Sequence, residues 1–130
     1  FDRKVFGMSD RFDAAYWQTL ESYWMLVGKV KVGCCAFERH VARSSLYIAT
    51  TGILPRFQGR GFGRLLKAWE VAFARYHGFK RLVTNCRKRN TAMIGLNKSF
   101  GFKAIRTVPG YYSDPADSMV VMELRLGSHL

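Results

Sequence analysis

The chain has 130 residues, with 21 Lys and Arg against nine Asp and Glu, a formal charge of +12. The apolar share of 48% and the aromatic share of 15% are enough for a buried core, which excludes a disordered tail, and the length fits one compact domain over 1–130. No run approaches the ~20 apolar residues of a membrane span, and Phe1-Asp2-Arg3-Lys4 has no apolar signal core, so a cytoplasmic protein is expected.

Ser9-Asp10 and the spacing of Phe12, Tyr16 and Leu20 predict a capped helix over 9–20. Tyr23 to Val27, a turn at Gly28-Lys29, and the alternation of Val30, Val32, Cys34 and Ala36 predict a hairpin. Ser45 to Leu54 reads as a strand that Pro55 stops. Phe62, Leu65, Leu66, Trp69, Phe73 and Tyr76 then form a stripe at helical spacing. Arg64, Lys67, Glu70 and Arg75 fall on the opposite side, and Gly78 ends the helix. Lys80 to Cys86 alternates as a strand. Asn90 caps a second helix carrying Met93, Ile94, Asn97 and Phe100, closed by Gly101. Two strands, 103–108 and 119–126, are predicted around a polar loop over 109–117. The order is that of a mixed α/β domain.

Cys34, Cys35 and Cys86 are odd in number and have no C-x-x-C spacing, and His40, His77 and His129 have no ligand spacing. Neither a disulfide framework nor a metal site is expected. The charge is concentrated. Residues 56–106 hold thirteen of the basic residues and one acid, Glu70, while the rest of the chain is neutral. Such a field attracts an anion: a phosphorylated cofactor, a nucleic acid or an acidic surface.

The loop Arg56-Phe-Gln-Gly-Arg-Gly-Phe-Gly63 joins a strand to a helix. Orphan amides and the helix dipole favour an anion there, and glycines let it approach the backbone. Arg64-Leu65 after Gly63 excludes the G-x-x-x-x-G-K-[ST] loop, and Arg64 in place of a third glycine excludes the dinucleotide fingerprint.

Gln58-x-x-Gly61-x-Gly63 is instead similar to the signature of the GNAT superfamily of acetyl-CoA-dependent N-acetyltransferases. Asn90-Thr-Ala-Met-Ile-Gly-Leu-Asn-Lys-Ser-Phe-Gly-Phe102 resembles a later helix of that family. Tyr111-Tyr112 followed by Ser118 to Leu124 resembles the closing strands of its protein N-terminal subgroup. The three stretches come in family order and cover roughly 22–126. The family's first strand is absent or truncated here, and the chain does not begin with Met, so upstream sequence is expected.

The resemblance implies a single-domain α/β (α+β) fold. Its mixed central sheet is splayed between the family's fourth and fifth strands, here 45–54 and 80–86, with helices on both faces. It implies acetyl-CoA as co-substrate and no metal. Gln58, Gly59, Arg60, Gly61, Phe62, Gly63 and Arg64 would hold the pyrophosphate, the backbone of Ile53 and Leu54 the pantetheine arm, and Asn90 would also touch the coenzyme. The implied reaction is direct transfer of acetyl to an amine, which needs a neutral nucleophile, an oxyanion donor and an acid for the sulfur. Where the ribosomal-protein alanine acetyltransferases carry a Glu and a Tyr, this chain has Asn85 and Asn97, neither a conventional acid or base. Tyr112, Tyr111 and Asn97 are therefore the catalytic candidates, with Tyr47 a further titratable group. Asp114 and Asp117 are turn formers that could also attract a cationic amine. The acceptor is unassigned, a small molecule or a peptide. A protein N-terminus or lysine is an alternative, and a non-catalytic acyl-CoA-binding domain is a rival from another class. A homodimer is compatible with the sequence. A nucleic-acid partner ranks last, because the aromatics of the basic segment mark a core face.

Overall fold

The computed structural model describes residues 20–127. Of the helix expected over 9–20, all but Leu20 lies outside the described residues. Strands β1 (Glu21–Val27) and β2 (Val30–His40) turn at Gly28-Lys29, as the sequence predicts. β3 (Ser45–Ile53) follows, then helix α1 (Phe62–Tyr76), β4 (Arg81–Arg87), α2 (Thr91–Ser99), β5 (Lys103–Ser113) and β6 (Ala116–Arg125). They form one sheet in the order β1-β2-β3-β4-β6-β5, a mixed α+β architecture in which β3 and β4 are parallel and the other pairs antiparallel.

The parallel ladder is short. Ser45–Ile48 pairs with Arg81–Thr84 and pairing then stops, while β3 continues over 49–53 and β4 over 85–87. That leaves a fork whose facing edges carry backbone groups without a ladder partner across the gap.

Residues paired across strands share a face. Phe37↔Ile48, Leu46↔Leu82 and Thr84↔Met122 therefore mark one face. Both described helices lie on it. Phe73 of α1 stacks on Phe37 at 4.7 Å, and Asn97 Nδ2 of α2 donates to Met122 Sδ at 3.6 Å. Ala36, Tyr47, Asn85 and Val121 point to the opposite face by alternation.

Two sequence expectations fail. The apolar stripe expected on α1 supplies only part of its buried face: Leu66 is buried and Phe62 and Phe73 pack against the core. Leu66, Lys67, Glu70, Val71 and Ala74 face the sheet, while Leu65, Trp69 and Tyr76 are exposed. Lys67 and Glu70, expected in solvent, are 1% and 0% exposed and 2.9 Å apart. Neither Lys67 Nζ nor either Glu70 oxygen makes a well-aligned hydrogen bond, so charge alone joins them. Three-residue spacing permits this pair in solvent or in the core, and the three-dimensional surroundings decide. The second failure is the loop over 109–117, which is mostly strand. β5 and β6 form a hairpin that turns only at Asp114-Pro115. Pro109 is tolerated because β5 is an edge strand, and a register shift between Val108 and Tyr112 absorbs Pro109-Gly110.

Candidate functional site

The open ends of β3 and β4 each feed a helix. After β3, a 3-10 turn over Pro55–Phe57 leads to Gly61, the N-cap of α1, with φ 85° and no side-chain cap. A non-glycine residue would be strained there. Gln58, which the motif places in the pyrophosphate site, has a different contact: its Nε2 donates to Ile53 O at 2.9 Å, bracing the loop against the end of β3. Both backbone groups of Leu54 are engaged within the chain, N–H to Val32 O at 2.8 Å and carbonyl from Phe57 N at 2.9 Å.

Beyond Gln58 the amides of Gly59, Arg60, Gly61, Phe62, Gly63 and Arg64 donate to no group of the described chain. A Cβ built on Gly59, Gly61 or Gly63 meets nothing within 4 Å. Gly63 has neither a positive φ nor a close neighbour to require it. The first turn of α1 has no acid and carries Arg64. An anion would satisfy the amides, the dipole and the cation together. A diphosphate fits this cradle.

After β4 the second helix starts differently. Asn90 Oδ1 accepts from Met93 N at 3.1 Å, closing the N-terminus of α2 as the sequence predicts. The cap leaves Asn90 Nδ2 as the side-chain group for an external acceptor.

The catalytic candidates divide between the two faces. Asn97 is wholly buried on the helix side, and its Oδ1 has no hydrogen-bond partner. Tyr112 lies with Arg87, whose guanidinium stands 4.2 Å from its ring and whose Nη1 donates to Pro115 O at 2.7 Å. Arg87 points away from the helices by the same alternation that places Asn85, so Tyr112 and Asn97 are not brought together. Tyr111 meets Tyr112 edge to face at 5.1 Å and is exposed. The site also contains a bond that the sequence does not announce. Asn85 Nδ2 donates to Tyr47 Oη at 2.7 Å, bridging β3 and β4 where their ladder ends. Polar residues one step either side of that end, on strands read as parallel neighbours, are the only signal for it.

Asp117 braces a turn. Its oxygens accept from Arg89 N at 3.0 Å and Ser118 N at 2.8 Å. Desolvation opposes ionisation, but those two amides hold the carboxyl below its ordinary value. The three cysteines are free and buried, and burial raises the thiol pKa of Cys35 and Cys86. No cluster able to hold a metal occurs among the described residues, and no described helix is long and apolar enough to cross a membrane. An apolar groove of about 300 Å³ between β1 and α1, lined by Tyr23, Trp24, Met25, Leu65, Leu66 and Trp69, lies apart from the fork.

Residues 3–102 match the model of the acetyltransferase (GNAT) family. The chain belongs to the GNAT acetyltransferase family. It is therefore an acyltransferase domain. No curated protein matches it. Among solved structures, the ribosomal-protein-S18-alanine N-acetyltransferase of Escherichia coli superposes with a TM-score of 0.87 at 15% identity, over 99% of this chain and 85% of its own. A GNAT acetyltransferase of Elizabethkingia anophelis with acetyl-CoA bound gives 0.78 at 18% identity, over 86% and 80%. A Bacillus subtilis acetyltransferase in complex with CoA gives 0.79 at 16%, over 87% and 81%. The fold of this GNAT chain is thus shared with these structures at low identity.

Proposed function

We propose that the chain transfers the acetyl group of acetyl-CoA directly to a primary amine, with no acyl-enzyme. The observation that carries this is the run of amides from Gly59 to Arg64 that finds no acceptor inside the protein. Those amides hold the diphosphate, and Gly59, Gly61 and Gly63 keep the approach clear. Gln58 fixes the loop through Ile53 O. The open edges of 49–53 and 85–87 form the gap for the acyl arm. Bound there, acetyl-CoA supplies the activated acyl group.

The chain has to orient a neutral amine, because an ammonium has no lone pair, and has to return a proton to the sulfur. Tyr112 is the donor we assign, since it stands with Asn85, Tyr47 and Arg87 on the face away from the helices. Asn97, closed in the core, anchors α2 to Met122. A peptide N-terminus is a second reading of the acceptor, favoured by the superposition on the S18-alanine enzyme over 99% of the chain.

Thermal melting with coenzyme A is the first test, because a ligand of the native state raises the melting temperature. Gly61→Glu should abolish that shift while the protein stays folded, through steric block and repulsion of the diphosphate. An unchanged shift in Gly61→Glu removes the loop as the cradle. Acetyl-CoA with a panel of amines and peptides, followed by free thiol, then identifies the acceptor. A melting shift with no thiol release on any acceptor points to a binding-only domain.

A further inference from the structure

Three arginines at the glycine loop are held by aromatic rings and not by carboxylates. The Arg56 guanidinium lies 4.7 Å from the centre of the Phe57 ring, and the Arg60 guanidinium lies 5.8 Å from the same ring. The Arg64 guanidinium lies 5.5 Å from Phe100. Phe57 is itself braced edge to face on Phe62 at 6.4 Å, so the platform is part of the loop's own packing. No salt bridge among the described residues involves any of the three.

The arrangement is electrostatically unfavourable as it stands. Two like charges share one ring, where they repel. Arg64 occupies the first turn of a helix, the end at which the dipole disfavours a cation. Ring contacts position a guanidinium without neutralising it, and leave its N–H groups able to bind an anion. A diphosphate uses the amides and the dipole, with Arg64 beside them. Arg56 and Arg60 remain, and a pair of guanidinium groups matches the charge and the acceptor count of a phosphomonoester dianion.

We propose that Arg56 and Arg60, on Phe57, form a subsite for the 3′-phosphate of coenzyme A, so that the loop distinguishes coenzyme A from its 3′-dephospho form. This rests on the coenzyme reading above and adds the part of the ligand that the surplus charge recognises.

Calorimetric titration of the whole chain with coenzyme A and with dephospho-coenzyme A, at about 0.1 M salt, tests it. The wild type should bind coenzyme A about tenfold more tightly. Arg56→Gln should weaken coenzyme A severalfold and leave dephospho-coenzyme A unchanged. Arg56→Lys should recover part of the loss, and Arg56→Gln with Arg60→Gln should erase the preference. Equal wild-type affinities overturn the subsite while the cradle stands, as does an equal loss for both ligands in Arg56→Gln. Binding of neither ligand overturns the coenzyme reading and the subsite with it.

Discussion

The two described helices begin at the same end of the sheet, after neighbouring parallel strands, yet their first turns are opposites. α2 satisfies its own amides: Asn90 supplies a side-chain cap, and Met93 N–H donates to it. α1 starts from a glycine with no cap, carries Arg64 in its first turn, contains Gly63, and buries an ion pair further along. Each of these features costs local stability, by roughly 0.5–1 kcal/mol for a glycine inside a helix and about 1 kcal/mol for a missing cap. Local rules break where something other than stability is selected. Under the proposed function, the contrast assigns ligand binding to α1 and makes α2 the scaffold beside it.

The largest effect in that contrast belongs to the buried pair. Lys67→Ala leaves Glu70 charged and enclosed, and should cost about 3–5 kcal/mol in denaturant unfolding. Lys67→Met with Glu70→Leu should be neutral, or stabilising by about 1–4 kcal/mol, because it removes two desolvated ions together. If the single variant loses less than ~1 kcal/mol, water reaches the pair, as at a surface ion pair, and the body of α1 is no costlier than that of α2.

The cap of α2 comes next. Asn90→Ala should cost about 1 kcal/mol, and Asn90→Asp should keep the stability because a carboxylate still accepts from Met93 N–H. Coenzyme affinity separates the two uses of Asn90. Asn90→Asp loses Nδ2 and adds a negative charge, so it should bind coenzyme A more weakly while melting like the wild type. If Asn90→Asp binds as tightly as the wild type, Asn90 is a cap alone, and α2 has no part in holding the coenzyme.

The parts that were legible in the sequence are those decided by a few neighbouring residues. Gly28-Lys29 makes the hairpin turn, Asn90 caps α2, and Gly59, Gly61 and Gly63 mark the loop. What escaped depends on contacts between distant segments. Lys67 and Glu70 fall on the side opposite the apolar stripe, and only packing against the sheet reveals that this side of α1 faces inward. Pro109-Gly110 reads as a loop, because a lone strand cannot show that it will be an edge able to absorb a bulge. Gln58 matches a motif position, but its role as a brace depends on the direction of Ile53 O. The bond from Asn85 to Tyr47 joins residues 38 positions apart, and only the pairing of their two strands brings them together.

The smallest effect tests the contrast most directly, because each helix supplies its own control. Gly63 in α1 and Gly95 in α2 both lie in helix interiors without a positive φ, and a Cβ at either meets nothing within 4 Å. Replacement by alanine should therefore raise unliganded stability at both, by about 0.5–1 kcal/mol, since alanine lowers the entropy of the unfolded chain. Only at Gly63 does the new methyl stand where a diphosphate must approach the first-turn amides. Gly63→Ala should melt higher alone yet gain less from coenzyme A than the wild type, whereas Gly95→Ala should melt higher and keep the full ligand shift. Equal ligand shifts in the two variants would mean that nothing comes close to the start of α1, and that its bare backbone has no more to do with the coenzyme than the exposed glycine of its neighbour.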